Sequence, residues 1–198
     1  MDKVATNVGG LDDLIEGGLP NHSAIALIGP EGSGKSMLAQ QIMWSFLEQG
    51  MSAIYYAVDH SANEVKAKML YYGWDLEKHE KLKKVRMVDI LKETTPNIEE
   101  VRWAKDNDLT KFTAATYSLT KVLKEGQQYY MKFLRGKQCL VVIDSLSPFF
   151  LVTPPDKIFH FISIMKLVTR VGNGIGIGIL HEGLHDQKIV DTFRFVAD

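Results

Sequence analysis

Gly29-Pro30-Glu31-Gly32-Ser33-Gly34-Lys35-Ser36 fills every required position of G-x-x-x-x-G-K-[ST], a pattern built to hold phosphate. The chemistry follows from the residue types. Gly29, Gly32 and Gly34 let the backbone turn tightly and bring N–H groups against phosphate oxygens with no Cβ in the way. Lys35 is placed to reach the β- and γ-phosphates of a nucleoside triphosphate, and the Ser36 hydroxyl to ligate Mg²⁺. A helix opening near Lys35 aims its positive end at the same oxygens. Such a loop needs a partner carboxylate that holds Mg²⁺ through water, delivered from the carboxyl end of a neighbouring strand. Asp144 meets that requirement, because the apolar run Leu140-Val141-Val142-Ile143 leads into it.

The elements that position these residues are readable around them. Ala24-Ile25-Ala26-Leu27-Ile28 reads as the strand before the loop, and Leu38, Ile42, Met43, Phe46 and Leu47 as one face of the helix after it. Ala53 to Val58 is a second strand, ending at Asp59-His60. Ser61-Ala62-Asn63-Glu64 is a capping box opening a helix that runs to about Tyr72. Val85 to Ile90 is a weaker strand, residues 92–108 are polar and irregular, and Phe112 to about Arg135 reads as a helix capped by Gly136. Cys139 to Asp144 is a strand, Asp156 to Val171 a helix, and Ile175 to Leu180 a further strand followed by His181-Glu182. Strands alternating with helices predict an α/β fold: a mostly parallel central sheet with helices on both faces, in one domain spanning residues 1–198.

Composition narrows the function classes. A net charge of −1 over 198 residues gives no global pull on nucleic acid, although a local patch stays open. The single cysteine, Cys139, cannot form an internal disulfide and reads as a small buried hydrophobe, compatible with a reducing cytoplasm. No run approaches the roughly 18 apolar residues of a membrane span, so a cytoplasmic protein is expected. Gly176 and Gly178 alternate with isoleucines and lack the G-x-G-x-x-G spacing, which points to close helix packing rather than a second nucleotide site. Tyr71, Tyr72, Trp74, Tyr129 and Tyr130 read as core or interface, and Lys78, Lys81, Lys83, Lys84 and Arg86 as a solvated helix end diluted by Glu77 and Glu80.

Three further segments point to a family. Gly9-Gly10-Leu11-Asp12-Asp13-Leu14 through Gly17-Gly18-Leu19-Pro20 forms a leader before the first core strand. Ser61 to Lys78 includes Gly73-Trp74-Asp75-Leu76, and Asp144-Ser145-Leu146-Ser147 closes the second motif. With these, the chain resembles the KaiC-like branch of the RecA superfamily of ATPases over nearly its whole length. Within the loop, Pro30-Glu31 is closer to the RecA-type variant. The resemblance implies a RecA-like fold, ATP with Mg²⁺, and ring-shaped homo-oligomers, hexamers among them, with nucleotides at subunit interfaces.

The resemblance also locates two departures. The family's catalytic Glu pair falls on Asp59-His60, where the aspartate is one methylene shorter and the imidazole a poor substitute for a carboxylate. Asp59 is the candidate base, directly or through a second water; His60 reads either as a weak participant or as a solvent-facing turn residue. His181 falls where RecA-like proteins place a residue that senses the γ-phosphate, and a strand-end histidine bonded to a loop is the other reading. The family normally continues past the equivalent of Val196-Ala197-Asp198 with further strands and a Lys/Arg-bearing segment that contacts a neighbour's nucleotide. This sequence is either naturally minimal or cut there, which leaves activation in trans open. The resulting expectation is a weak ATPase, or a module whose ATP occupancy gates assembly or a protein partner. The alternative is a recombinase-like protein, or a regulator of one, acting in DNA recombination.

Overall fold

A computed structural model describes residues 2–90 and 126–197. The irregular segment at 92–108 and most of the expected helix at 112–135 lie outside them.

The expected alternation is present. Five parallel strands, β3 (Ala24–Gly29), β4 (Ser52–Ala57), β5 (Val85–Asp89), β6 (Cys139–Asp144) and β7 (Gly174–His181), form one sheet in the spatial order β3-β7-β6-β4-β5. A period of two along each strand divides the side chains between two apolar layers. Tyr55, Leu140, Val142, Ile175, Ile177 and Ile179 pack under α2 (Lys35–Glu48) and α3 (Ala62–Tyr71). Ile54, Tyr56, Ile143 and Leu180 face the other way, where α6 (Pro155–Val171) and α7 (Gln187–Val196) supply Ile158, Phe161, Ile162, Val190 and Phe193. Short helices α4 (Glu77–Lys81) and α5 (Ser147–Val152) complete the connections.

Local chemistry accounts for the element ends. The Ser61–Glu64 capping box forms in full, with Ser61 Oγ accepting from Glu64 N at 3.2 Å and Glu64 Oε2 accepting from Ser61 N at 2.8 Å. Gly176 and Gly178 do serve close packing: a Cβ on Gly176 would stand 3.3 Å from the Thr169 methyl of α6, and one on Gly178 3.1 Å from Leu146 and Phe193.

Some details differ from the sequence reading. The leader holds helix α1 (Leu11–Leu14), but two-residue strands β1 (Lys3–Val4) and β2 (Leu19–Pro20) also pair there, too short to show periodicity. The described end of the Phe112–Arg135 helix is a π-helix over Tyr130–Leu134. Of the residues read as core or interface, Tyr71 and Tyr72 are exposed, which removes only the core reading, while Trp74 packs against the α2-side layer. Tyr71 lies off the buried face that Val65 and Met69 define, and Tyr72, the C-cap, stands past the last turn of α3. None of the described helices is long and apolar enough to cross a membrane.

Candidate functional site

The site lies along the carboxyl edge of the sheet, where β3, β7, β6 and β4 all end. Leaving β3, the chain turns through Pro30–Ser33 on the surface and enters α2 from Gly34, which holds a left-handed conformation (φ 85°) that an L side chain resists. No side chain caps α2, and its first turn carries no acidic residue, so its positive end stays open to an anion. Lys35 is buried and folded back on the loop: Nζ donates to Gly29 O at 2.9 Å, Pro30 O at 2.6 Å and Ser33 Oγ at 3.3 Å. The ammonium therefore keeps the loop closed on itself and stands where a phosphate oxygen could replace the carbonyls.

Ser36 and Asp144 meet. The Ser36 hydroxyl donates to Asp144 Oδ1 at 2.8 Å, tying the first turn of α2 to the end of β6. Asp144 is buried, and burial pushes its carboxyl above the usual carboxylate range while the Tyr55 and Ser36 hydroxyls pull it back. A hydroxyl and a carboxylate oxygen beside an open helix start are the hard oxygen donors that Mg²⁺ prefers, with phosphate and water completing its shell. The residues present fit that ion.

Tyr55 and Gln40 belong to the same cluster, and sequence reasoning missed both. Tyr55 Oη donates to Asp144 Oδ2 and accepts from Gln40 Nε2 at 3.2 Å. Burial and the neighbouring carboxylate hold the phenol well above its ordinary pKa, so it remains a donor. A tyrosine in an apolar strand carries no mark of such a partner; only the spacing of Gln40, three and seven residues before the buried Met43 and Leu47, which puts it on the buried side of α2, hints at it.

Asp59 and His181 also converge. Asp59 lies two residues past β4 and His181 ends β7, on either side of β6. His181 Nε2 stands 3.3 Å from Asp59 Oδ2, and the His181 backbone N–H donates to Ser147 Oγ at 2.9 Å. The backbone N–H groups of Val58 and Asp59 both donate to Asp144 O, at 2.8 and 3.4 Å, which fixes the turn at the end of β6. His60 points elsewhere: it is exposed, with Lys68 Nζ 3.4 Å from its Nε2. The structure thus brings Lys35, Ser36, Asp144, Asp59 and His181 to one edge and leaves His60 outside the cluster.

The family model of the KaiC ATPase matches residues 4–178. The chain belongs to the KaiC ATPase family. A UPF0273 protein of Pyrococcus furiosus is 28% identical over 170 residues, covering 86% of this chain and 65% of the relative. One from Thermotoga maritima is 29% identical over 176 residues, covering 89% and 67%. The chain thus spans about two thirds of the length of these curated relatives. Among solved structures, a KaiC-like protein of Pyrococcus horikoshii superposes with a TM-score of 0.71 at 21% identity, covering 99% of this chain and 77% of that one. The flagellar accessory protein FlaH of Methanocaldococcus jannaschii gives 0.71 at 20%, covering 99% and 78%. These likenesses bear out the RecA-like α/β fold, and membership of an ATPase family implies nucleotide binding.

Proposed function

We propose that this KaiC-family chain binds ATP with Mg²⁺ at the Gly29–Ser36 loop and acts as an ATP-gated module that hydrolyses the nucleotide slowly. The observation that carries the reading is the Ser36 Oγ–Asp144 Oδ1 contact of 2.8 Å beside the open start of α2. Ser36 and Asp144 would hold the ion, which when bound neutralises charge on the β- and γ-phosphates. Lys35 exchanges its carbonyl partners for phosphate oxygens. Asp59 orients the attacking water, and His181, hydrogen-bonded to that carboxylate, couples it to the γ-phosphate. Turnover is slow because Asp59 has a shorter reach than glutamate and one of its oxygens is already shared with His181. Assembly into a homo-oligomeric ring, or capture of a protein partner, is the event that nucleotide occupancy would gate, in the cytoplasm.

Calorimetric titration tests the core of the reading. Wild-type protein is expected to bind ATP more tightly with Mg²⁺ than without it. Lys35→Ala removes a charged hydrogen bond and should weaken binding by about 10–100-fold. A folded wild type that takes up no ATP overturns the proposal. Light-scattering mass with and without ATP tests the assembly step.

A further inference from the structure

Tyr55 is fully buried on the α2 face of β4, opposite Val142 of β6 and Met87 of β5. Its hydroxyl has one proton to give, and that proton goes to Asp144 Oδ2. Gln40, also buried, must then present its amide nitrogen rather than its oxygen, and does so at 3.2 Å. Hydrogen-bond polarity therefore runs one way, from Gln40 through Tyr55 to Asp144, and meets the bond arriving from Ser36 at the other carboxylate oxygen. Without Tyr55 the carboxylate could turn about its terminal torsion, which is broad and nearly two-fold. With both oxygens engaged it has one orientation.

We propose that Tyr55, backed by Gln40, is a positioning residue for the Mg²⁺ end of the site: it fixes the rotation of the Asp144 carboxylate and so presents Oδ1 to Ser36 and the phosphate loop. This rests on the reading of Ser36 and Asp144 as the ion-holding pair. A phenylalanine would fill the same apolar space under α2, so packing does not account for the hydroxyl. The hydroxyl's partners are the Asp144 carboxylate and the Gln40 amide. Partners of this kind, one step removed from an ion, set the orientation of the group that holds it.

The test separates metal from nucleotide. A fluorescent ATP analogue is titrated into the full chain in EDTA, and Mg²⁺ is then titrated into the nucleotide complex, for wild type, Tyr55→Phe and Gln40→Met. In Tyr55→Phe the metal-free nucleotide affinity should stay within about twofold of wild type, while the half-saturating Mg²⁺ concentration rises by about 10–100-fold. Gln40→Met should move the same way by less. Equal half-saturation in wild type and Tyr55→Phe overturns the inference, as does an equal loss of both affinities, which signals core damage alone. If Tyr55→Phe does not fold, the same comparison on Gln40→Met decides. A wild type whose nucleotide binding ignores Mg²⁺ removes the underlying reading and the inference together; an unchanged Tyr55→Phe in a Mg²⁺-dependent protein removes only the inference.

Discussion

His181 Nε2 and Asp59 Oδ2 stand 3.3 Å apart across the end of the strand that carries Asp144, although 122 positions separate them in the chain. The carboxylate proposed to orient water and the imidazole proposed to sense phosphate are therefore one hydrogen-bonded unit.

Asp59→Ala should slow single-turnover ATP cleavage by about 100-fold, the range in which a positioned base acts, with nucleotide affinity nearly unchanged. His181→Ala should slow it less. The double variant should resemble Asp59→Ala, since both residues act through one carboxylate. Rapid-quench assays on the three proteins check this, and cleavage by Asp59→Ala at the wild-type rate would remove Asp59 from the mechanism.

Asp144→Asn should stabilise the nucleotide-free protein while weakening its Mg²⁺-dependent binding. Burial raises the Asp144 carboxyl above its usual range. A raised folded-state value means the group's contribution to stability is fully present below the unfolded value of 3.8 and is lost as pH rises through the folded one. At neutral pH the ionised carboxylate thus costs folding free energy, which an amide of the same shape avoids. Thermal melts without nucleotide measure it; a clearly lower Tm for Asp144→Asn contradicts this account.

Cys139, buried at the start of β6, should resist alkylation at pH 8 in the folded protein and react once the protein is denatured. Burial pushes its thiol from the ordinary 9.0 up to about 12. The sign for stability follows: the contribution is complete below about pH 9 and is lost progressively as pH rises toward 12. Cys139→Ala should flatten that alkaline limb in urea titrations at successive pH values.

Gly178→Ala should destabilise by about 1–3 kcal/mol, because the new methyl meets Leu146 and Phe193 in a packed layer. Gly18→Ala should cost more. Its φ of 131° is one L side chains rarely adopt, and the methyl would stand 2.2 Å from the Val4 carbonyl oxygen, which cannot move without breaking the β1–β2 pair. Equal Tm values for the two variants would count against this.

The features legible in the sequence are those written in contiguous residues. The loop from Gly29 to Ser36, the capping box at Ser61 and the apolar run ending at Asp144 each declare an element and its boundary, and all three stand in the structure. Contacts that depend on sheet order were not legible. The Asp59–His181 pair exists because β4 and β7 flank β6, and no local pattern records that arrangement. Tyr55 was hidden for another reason: inside Ser52–Ala57 every residue is buried, so a tyrosine that packs and a tyrosine that also holds a carboxylate look alike. Tyr71 and Tyr72, read as core or interface, are exposed: Tyr71 lies off the buried face of α3 and Tyr72 caps its carboxyl end.

The β3–β7 ladder sets Gly29 opposite His181, and Glu182 N donates to Gly29 O at 2.8 Å just beyond it. The phosphate loop and the histidine are thus aligned by counting along two strands. Sliding β7 by one residue would turn every side chain to the opposite face and put Leu180 or Glu182 beside Gly29. A single-residue deletion between Gly174 and Leu180 would leave every site side chain in the sequence yet take His181 out of register with Gly29 and Asp59. The length of that strand is as much a part of the chemistry as any residue on it.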